Sequence, residues 1–274
     1  MRIVRHRLDD EGAATARFVK SPNVGGTLDP KYLVIHYTAG RTADESVSWL
    51  ASAAAEASAH VVIGRTGTVT QLVPFNRVAW HAGISSWEGL RGLNRHSIGI
   101  ELDNAGRLER KGGRWCAWFG NAYPDDEVME ATHRHGTHVC GWHTYTPEQI
   151  EAALELSAML IRKYDLLDVV GHEDISPGRK SDPGPAFPMA SFRARLLGRS
   201  ADGPVSLQTT TTLNIREGPS TAHPKLAVGP LQPGTAVQVL DAQGSWRLVD
   251  VECEVGGEND VQAWVHGGFL RRRE

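Results

Sequence analysis

Residues 32–40 read YLVIHYTAG. Tyr32-Leu33-Val34-Ile35 is a short continuous apolar run, the pattern of a strand buried on both faces. His36 follows it directly. A second short run, Asp168-Val169-Val170, leads in the same way through Gly171 into His172. Between these runs the apolar period alternates between helix and strand, which indicates an α/β domain. Thr42 and Glu45 have capping-box spacing, and Val47, Leu50, Ala51 and Ala54 mark one helical face. His60–Ile63 and Val69–Leu72 flank Arg65-Thr66-Gly67 and read as a hairpin. In Ser97–Leu102, Ile98, Ile100 and Leu102 alternate with Gly99 and Glu101, so Glu101 lies on the face opposite the isoleucines.

Thr146-Pro147-Glu148-Gln149 carries an N-cap, a first-turn proline and a capping-box glutamine. The helix it opens has a stripe of Ile150, Ala153, Leu154, Ser157, Leu160, Ile161 and Tyr164. Residues 189–197 read as a last helix. Residues 1 to about 30 read as a polar arm leading into the first strand. Residues 103–145 show no clear period and read as a long, partly irregular excursion, a kind of segment that is often functional. Gly198–Pro204 (GRSADGP) has linker composition. After it come short β-type runs, Thr211–Ile215, Ala236–Leu240, Trp246–Val251 and Ala263–Val265, separated by Gly and Pro turns. They indicate a small all-β barrel or sandwich.

The chain has 274 residues, enough for two domains, with an ordinary 41% hydrophobic and 22% charged composition. A formal net charge of -3 lacks the basic excess of a nucleic-acid binder, so no nucleic-acid partner is expected. No apolar run reaches 18 residues, so no membrane span is expected. The opening MRIVRHRLDDEG shows no secretory signal. The expectation is therefore a chain cytoplasmic as synthesised, reaching a cell wall only by lysis or a dedicated secretion route. Three cysteines, Cys116, Cys140 and Cys253, are too few and too uneven for a disulfide framework. They fit a reducing compartment.

His36 and His172 each follow a buried strand, and Asp182 lies ten residues past His172 in a Gly/Pro-rich loop. Functional groups gather beyond strand ends in open α/β sheets. Two imidazoles and a carboxylate can hold Zn²⁺ and leave a position for water, whose pKa the metal lowers. A lone histidine at a strand end is more often a structural hydrogen-bonder. Glu101 is a candidate to take the proton from that water, against an ordinary exposed strand glutamate. Lys180 is a candidate to stabilise an oxyanion, against a solvated loop lysine.

Five motifs occur in order: VIHYTAG (34–40), SAHVVIGRTGTVTQLVPF (58–75), AWHAG (79–83), NRHSIGIEL (94–102) and GHEDISPGRKSDPGPAF (171–187). Together they resemble the N-acetylmuramoyl-L-alanine amidase family, which shares its fold with peptidoglycan recognition proteins. The resemblance covers about residues 20–195. It implies a mixed central sheet flanked by helices, within a catalytic domain spanning 1–198. It implies zinc ligands His36, His172 and Asp182, a water-activating Glu101 and an intermediate-stabilising Lys180. The implied reaction is hydrolysis of the amide between N-acetylmuramic acid and L-alanine, in peptidoglycan or muropeptides. Some relatives place a tyrosine just before the SAH histidine, where this chain has Ala59; Glu101 then takes the base role. His60, Trp80, His81 and Asn94 are expected at the substrate cleft, with packing or turn roles as alternatives for His60, His81 and Asn94.

His133, His135, His138, Cys140 and His143 lie within eleven positions and invite a second metal, yet they lack zinc-finger spacing. The favoured reading is a cleft wall, with Trp115, Trp118 and Trp142 available for stacking. Thr212–Ser220 (TLNIREGPS), LQPGTAVQVL (231–240), Ser245–Val249 and Ala263–His266 resemble a bacterial SH3-type domain. That likeness gives a linker at 199–206, an SH3-like barrel over 207–274 and possible wall binding. Trp246 and Trp264 read equally as core or as a ligand platform. Cys253–Asp260 departs from the compact pattern, and Arg271–Arg273 reads as a solvated tail. Two rival functions are a non-catalytic peptidoglycan-binding protein and a metal-dependent stem-peptide peptidase.

Overall fold

The computed structural model describes residues 1–9, 16–197, 206–259 and 261–272. Its contacts divide the chain into two units, Met1–Ser85 with Gly92–Phe192, and Ser86–Arg91 with Arg193–Glu274. The assignment of 86–91 to the second unit has no signal in the sequence. Residues 198–205, most of the expected linker, lie outside the described residues, as do Asp260 and Arg273.

The first unit is built on a six-stranded mixed sheet. Its strands run in the order Asp168–Gly171, Tyr32–Tyr37, Ser97–Leu102, Val61–Ile63, Val69–Gln71 and Ala16–Phe18. The Tyr32–Tyr37 strand is parallel to both of its neighbours. Tyr32, Leu33, Val34 and Ile35 are all fully buried, as a strand covered on both faces requires. The expected hairpin forms between Val61–Ile63 and Val69–Gln71. The N-terminal region is more than an arm, because Ala16–Phe18 pairs with Val69–Gln71 and closes one edge of the sheet.

Helix α1 (Ala43–Leu50) starts where Thr42 accepts from the Glu45 N–H. It is shorter than the apolar stripe indicates: Ala51 is its C-cap, and Ala53–Ala55 forms a separate 3₁₀ turn. Val47 packs with Val62, Leu72 and Val73 under the sheet. Helix α2 (Pro147–Tyr164) carries the complete Thr146/Gln149 capping box. Its buried stripe runs through Gln149, Ala153, Leu154, Leu156, Ser157, Leu160 and Ile161, leaving Ile150 and Tyr164 half-buried. The Gln149 amide donates to the Asp103 carbonyl at 2.8 Å, tying the helix start to the end of the Ser97–Leu102 strand. Helices α3 (His172–Ile175) and α4 (Met189–Leu197) follow the last strand of the sheet.

The 103–145 excursion is regular, contrary to its sequence pattern. It is a five-stranded antiparallel sheet in the order Ala122–Tyr123, Arg114–Cys116, Arg107–Lys111, Val139–His143 and Val128–Thr132. Trp115 is 6% exposed and Trp142 2% exposed, so neither is available for stacking on a ligand; Trp115 joins Ala105, Leu108 and Ala117 in that sheet's core, and Trp142 is buried against His133. The histidine-rich segment does not converge on a metal either. His133 pairs with Glu173, while His143 is buried and accepts the Ala105 N–H. Among the described residues, no metal-binding group contains any of them.

The second unit holds a five-stranded antiparallel sheet in the order Gln262–His266, Trp246–Val251, Ala236–Gln243, Ser206–Thr209 and Leu270–Arg272. Its core includes Leu207, Leu213, Ile215, Val237, Val249, Val251 and Val265. Thr211–Ile215 contributes buried side chains but only an isolated bridge, Leu213 to Leu231. Trp246 and Trp264 are both half-buried. Among the described residues no helix is long and apolar enough to cross a membrane.

The Thr146 hydroxyl caps α2 and also donates to the Arg65 carbonyl. Thr146→Ala should lower stability by about 1–2 kcal/mol, measured by urea denaturation. An unchanged midpoint would mean that the cap does not hold this helix start.

Candidate metal centre and cleft

Strand register sets up the centre. Glu101 pairs with His36 across the parallel ladder, and on the other side Ile35 pairs with Gly171. His172 therefore opens α3 one position further along, beside His36. Side chains at matched positions of neighbouring parallel strands project to the same face. Glu101, His36 and His172 thus form a row across the strand ends. Asp182 is brought over them by its loop, whose Asp182 carbonyl accepts the Glu173 N–H at 2.8 Å. Tyr37 and Ser181 share a 2.8 Å hydroxyl contact, and Tyr145 donates to the Pro183 carbonyl at 2.8 Å.

His36 Nδ1, His172 Nδ1 and Asp182 Oδ2 lie 2.9 Å from one another in all three pairs. The surrounding bonds decide which nitrogens carry protons. His172 Nε2 is 3.1 Å from the Ala82 carbonyl, which only accepts, so that nitrogen donates. His81 Nε2 faces the Ser97 carbonyl at 3.3 Å and donates likewise. His81 Nδ1 is then an acceptor, and His36 Nε2, 3.0 Å away, must donate to it. Both Nδ1 atoms are left with bare lone pairs facing a carboxylate oxygen. Three acceptors so close repel unless a cation lies among them.

Two neutral imidazoles and one carboxylate form a recognised donor set for a divalent metal with an open position. All three residues are buried, and together they are the group among the described residues that could hold a metal ion. The electrostatics agree. Burial, reinforced by the neighbouring His172, pushes His36 from 6.5 down to about 4, which keeps it neutral and able to ligate. Burial alone would raise the Asp182 carboxyl. The two imidazoles reverse that and hold it below the usual carboxylate range.

The triad forms part of the wall of a cleft of about 940 Å³, with Glu101, Lys180, Trp80 and His81 also on its wall. Burial pushes the Glu101 carboxyl well above its ordinary 4.5; Asp182 adds to the effect and Lys180 opposes it. Its Oε2 is buried without a hydrogen-bond partner. Trp80 is 39% exposed. Trp118 is 75% exposed and also lines the cleft, its indole N–H donating to the Ala39 carbonyl at 2.8 Å.

His60 and Asn94 are not on the cleft wall. His60 is fully buried, accepting the Gly99 N–H through Nδ1 and donating to the Arg77 carbonyl through Nε2. Asn94 bonds only to backbone, as described below. Sequence reasoning missed Tyr37, Trp49, Phe119 and Arg179 on the wall. Trp49 lies outside the apolar stripe of α1, which is the one signal that marks it for another use. Phe119 and Arg179 adjoin residues already singled out.

The N-acetylmuramoyl-L-alanine amidase family matches residues 26–185, and the bacterial SH3 domain family matches residues 211–271. The chain is 34% identical over 181 residues to the N-acetylmuramoyl-L-alanine amidase AmiD of Escherichia coli (strain K12), covering 63% of this chain and 55% of AmiD. It is 30% identical over 209 residues to the 1,6-anhydro-N-acetylmuramyl-L-alanine amidase AmpD of Citrobacter freundii, covering 68% of this chain and 93% of AmpD. A solved complex of E. coli AmiD with anhydro-N-acetylmuramic acid-L-Ala-D-gamma-Glu-L-Lys aligns at 31% identity and a TM-score of 0.44, covering 68% of this chain and 60% of that one.

Binding to the folded state alone stabilises it by about 2.7 kcal/mol at a hundred times the dissociation constant. Zn²⁺ added to chelator-treated protein should therefore raise its thermal midpoint, and Asp182→Ala should abolish the rise. A rise that survives Asp182→Ala would place the metal elsewhere.

Proposed function

Because this chain belongs to the N-acetylmuramoyl-L-alanine amidase family, we propose that it hydrolyses the amide between the lactyl carbonyl of N-acetylmuramic acid and L-alanine. The observation that carries this reading is the convergence of two bare imidazole nitrogens and a carboxylate on a cleft wall, one strand from a half-buried glutamate whose Oε2 is shielded from solvent. The catalytic domain is assigned to 1–198, and the second domain to 207–274 after a linker at 199–206. The substrate is peptidoglycan or the muropeptides released from it.

Zn²⁺ is the metal proposed for His36, His172 and Asp182; when bound it polarises a carbonyl and acidifies water. Glu101 has the chemistry of a general base. Its raised pKa favours taking a proton, and its unpartnered Oε2 is available to do so. It later returns that proton to the leaving alanine nitrogen. Lys180, on the cleft wall, supplies positive charge where the scissile carbonyl oxygen becomes an oxyanion. No side-chain nucleophile is required. Cys116 is buried in the antiparallel sheet, Cys140 lies on its Val139–His143 strand, and Cys253 belongs to the second unit. The exposed indoles of Trp80 and Trp118 supply faces against which sugar or peptide groups can pack. The SH3 domain is proposed to hold the enzyme on polymeric wall, with the half-buried Trp246 and Trp264 as its candidate platform.

The test is mass spectrometry of peptidoglycan digested by zinc-loaded protein. Free stem peptides beginning with L-alanine are expected. Glu101→Gln should bind zinc normally and lose about 10²–10⁴-fold in kcat; Lys180→Met should lose about 10²–10³-fold. Cleavage within the stem would instead make the protein a peptidase. Co-sedimentation with the wall without cleavage of wall or muropeptides would make it a binding protein. Glu101 must be ionised to act, so kcat/KM should fall as the pH drops through its raised pKa. Loss of this acidic limb in Glu101→Gln supports the base assignment, and a limb unchanged in Glu101→Gln would contradict it.

A further inference from the structure

The two histidine ligands are held by one short stretch of backbone. Asn94 Oδ1 accepts both the His81 N–H at 2.9 Å and the Ala82 N–H at 2.6 Å. From that fixed segment the His81 imidazole reaches His36 Nε2 at 3.0 Å. The next residue's carbonyl, Ala82 O, receives His172 Nε2 at 3.1 Å. The segment is braced from the far side as well. The Arg179 guanidinium donates to the Ala82 carbonyl at 3.0 Å and the Ile84 carbonyl at 2.7 Å, and the Ser176 hydroxyl donates to the Ile84 carbonyl at 2.7 Å. The ring of His81 sits directly over Gly99, where a Cβ would come within 2.5 Å of it. Only a residue without a side chain leaves room for the ring to stand between Ser97 and His36.

We propose that Asn94, His81 and the Ala82 carbonyl form a bracket that sets the tautomer and orientation of both histidine ligands, and that Asn94 and His81 are positioning residues for the metal rather than substrate contacts. The proposal rests on the metal reading above. Its physical basis is that a ligating imidazole presents one lone pair only while its other nitrogen holds a proton and has an acceptor to give it to. His81 supplies that acceptor for His36, and Ala82 supplies it for His172. Asn94 fixes both acceptors at once because one oxygen grips two consecutive N–H groups. His81 must itself be neutral with its proton on Nε2, which the Ser97 carbonyl enforces.

The experiment measures the Zn²⁺ dissociation constant of the full chain by competition with a chelating dye, alongside kcat and KM at saturating Zn²⁺. Loss of such an outer partner weakens metal binding by about 10–100-fold. His81→Leu removes the acceptor and keeps bulk; Asn94→Ala releases the segment. Both should show that weakening, with KM unchanged once zinc is saturating. His81→Asn offers an oxygen near the Nδ1 position, and Asn94→Asp keeps an oxygen for both N–H groups. Each should recover affinity to within about threefold of wild type. Metal-free thermal unfolding confirms that the variants fold. If His81→Leu does not, the Asn94 pair decides by the same comparison. Wild-type zinc affinity with a raised KM in His81→Leu or Asn94→Ala would make these residues substrate contacts and overturn the proposal. So would rescue variants no better than His81→Leu or Asn94→Ala, which would reduce the role to packing. Failure of the wild-type protein to bind Zn²⁺ would instead overturn the metal reading beneath it.

Discussion

Three lone-pair acceptors cannot rest 2.9 Å apart by their own preference, and the first unit supplies what forces them together. Two come from the ends of adjacent parallel strands, where register alone fixes their spacing. The third comes from a loop pinned by the Glu173 N–H and by the Tyr37 and Tyr145 hydroxyls. A rigid scaffold is needed because desolvated imidazole and carboxylate groups would otherwise turn toward water or protonate. The fully buried run Tyr32–Ile35 provides that rigidity immediately before the first ligand.

The same constraint explains the neighbourhood. A neutral His36 demands an acceptor for its second nitrogen, and that demand accounts for a buried His81, a carbonyl at Ser97 and a glycine at 99. Glu101 lies on the strand next to His36, where desolvation and the Asp182 charge raise its pKa. Metal affinity and proton affinity therefore come from one register, so a slip of one residue would turn Glu101 away from the cleft and destroy the base along with the site.

The strands that carry chemistry were legible because burial on both faces writes an unbroken apolar run. His36 and His172 stand out as candidate ligands because they end such runs, and the family resemblance, more than spacing, joins Asp182 to them. The antiparallel sheet of 103–145 was not. Its strand Arg107–Lys111 (RLERK) buries only Leu108, and Val128–Thr132 (VMEAT) buries none of its residues fully, so alternation hardly registers. Trp115 and Trp142 therefore read as available for stacking when both are buried, Trp115 in that sheet's core. For His60 the sequence left cleft and packing roles open, because nothing in it shows that the ring is spent on two backbone groups. In the SH3 domain the first paired strand is Ser206–Thr209, ahead of the first β-type run read in the sequence, and Thr211–Ile215 contributes side chains more than ladder bonds. Asn94 gave no sequence signal of its metal-side role, because its partners are backbone N–H groups thirteen and twelve positions earlier.

The central claim is that a metal is held by His36, His172 and Asp182 and by nothing else in the chain. X-ray absorption at the zinc edge of the full protein loaded with one equivalent of Zn²⁺ reads the ligands directly. The account predicts two imidazoles and oxygen donors at about 2.0–2.1 Å. A sulfur shell at about 2.3 Å, pointing to Cys140 and its neighbouring histidines, or a shell of oxygens without imidazole, would contradict it.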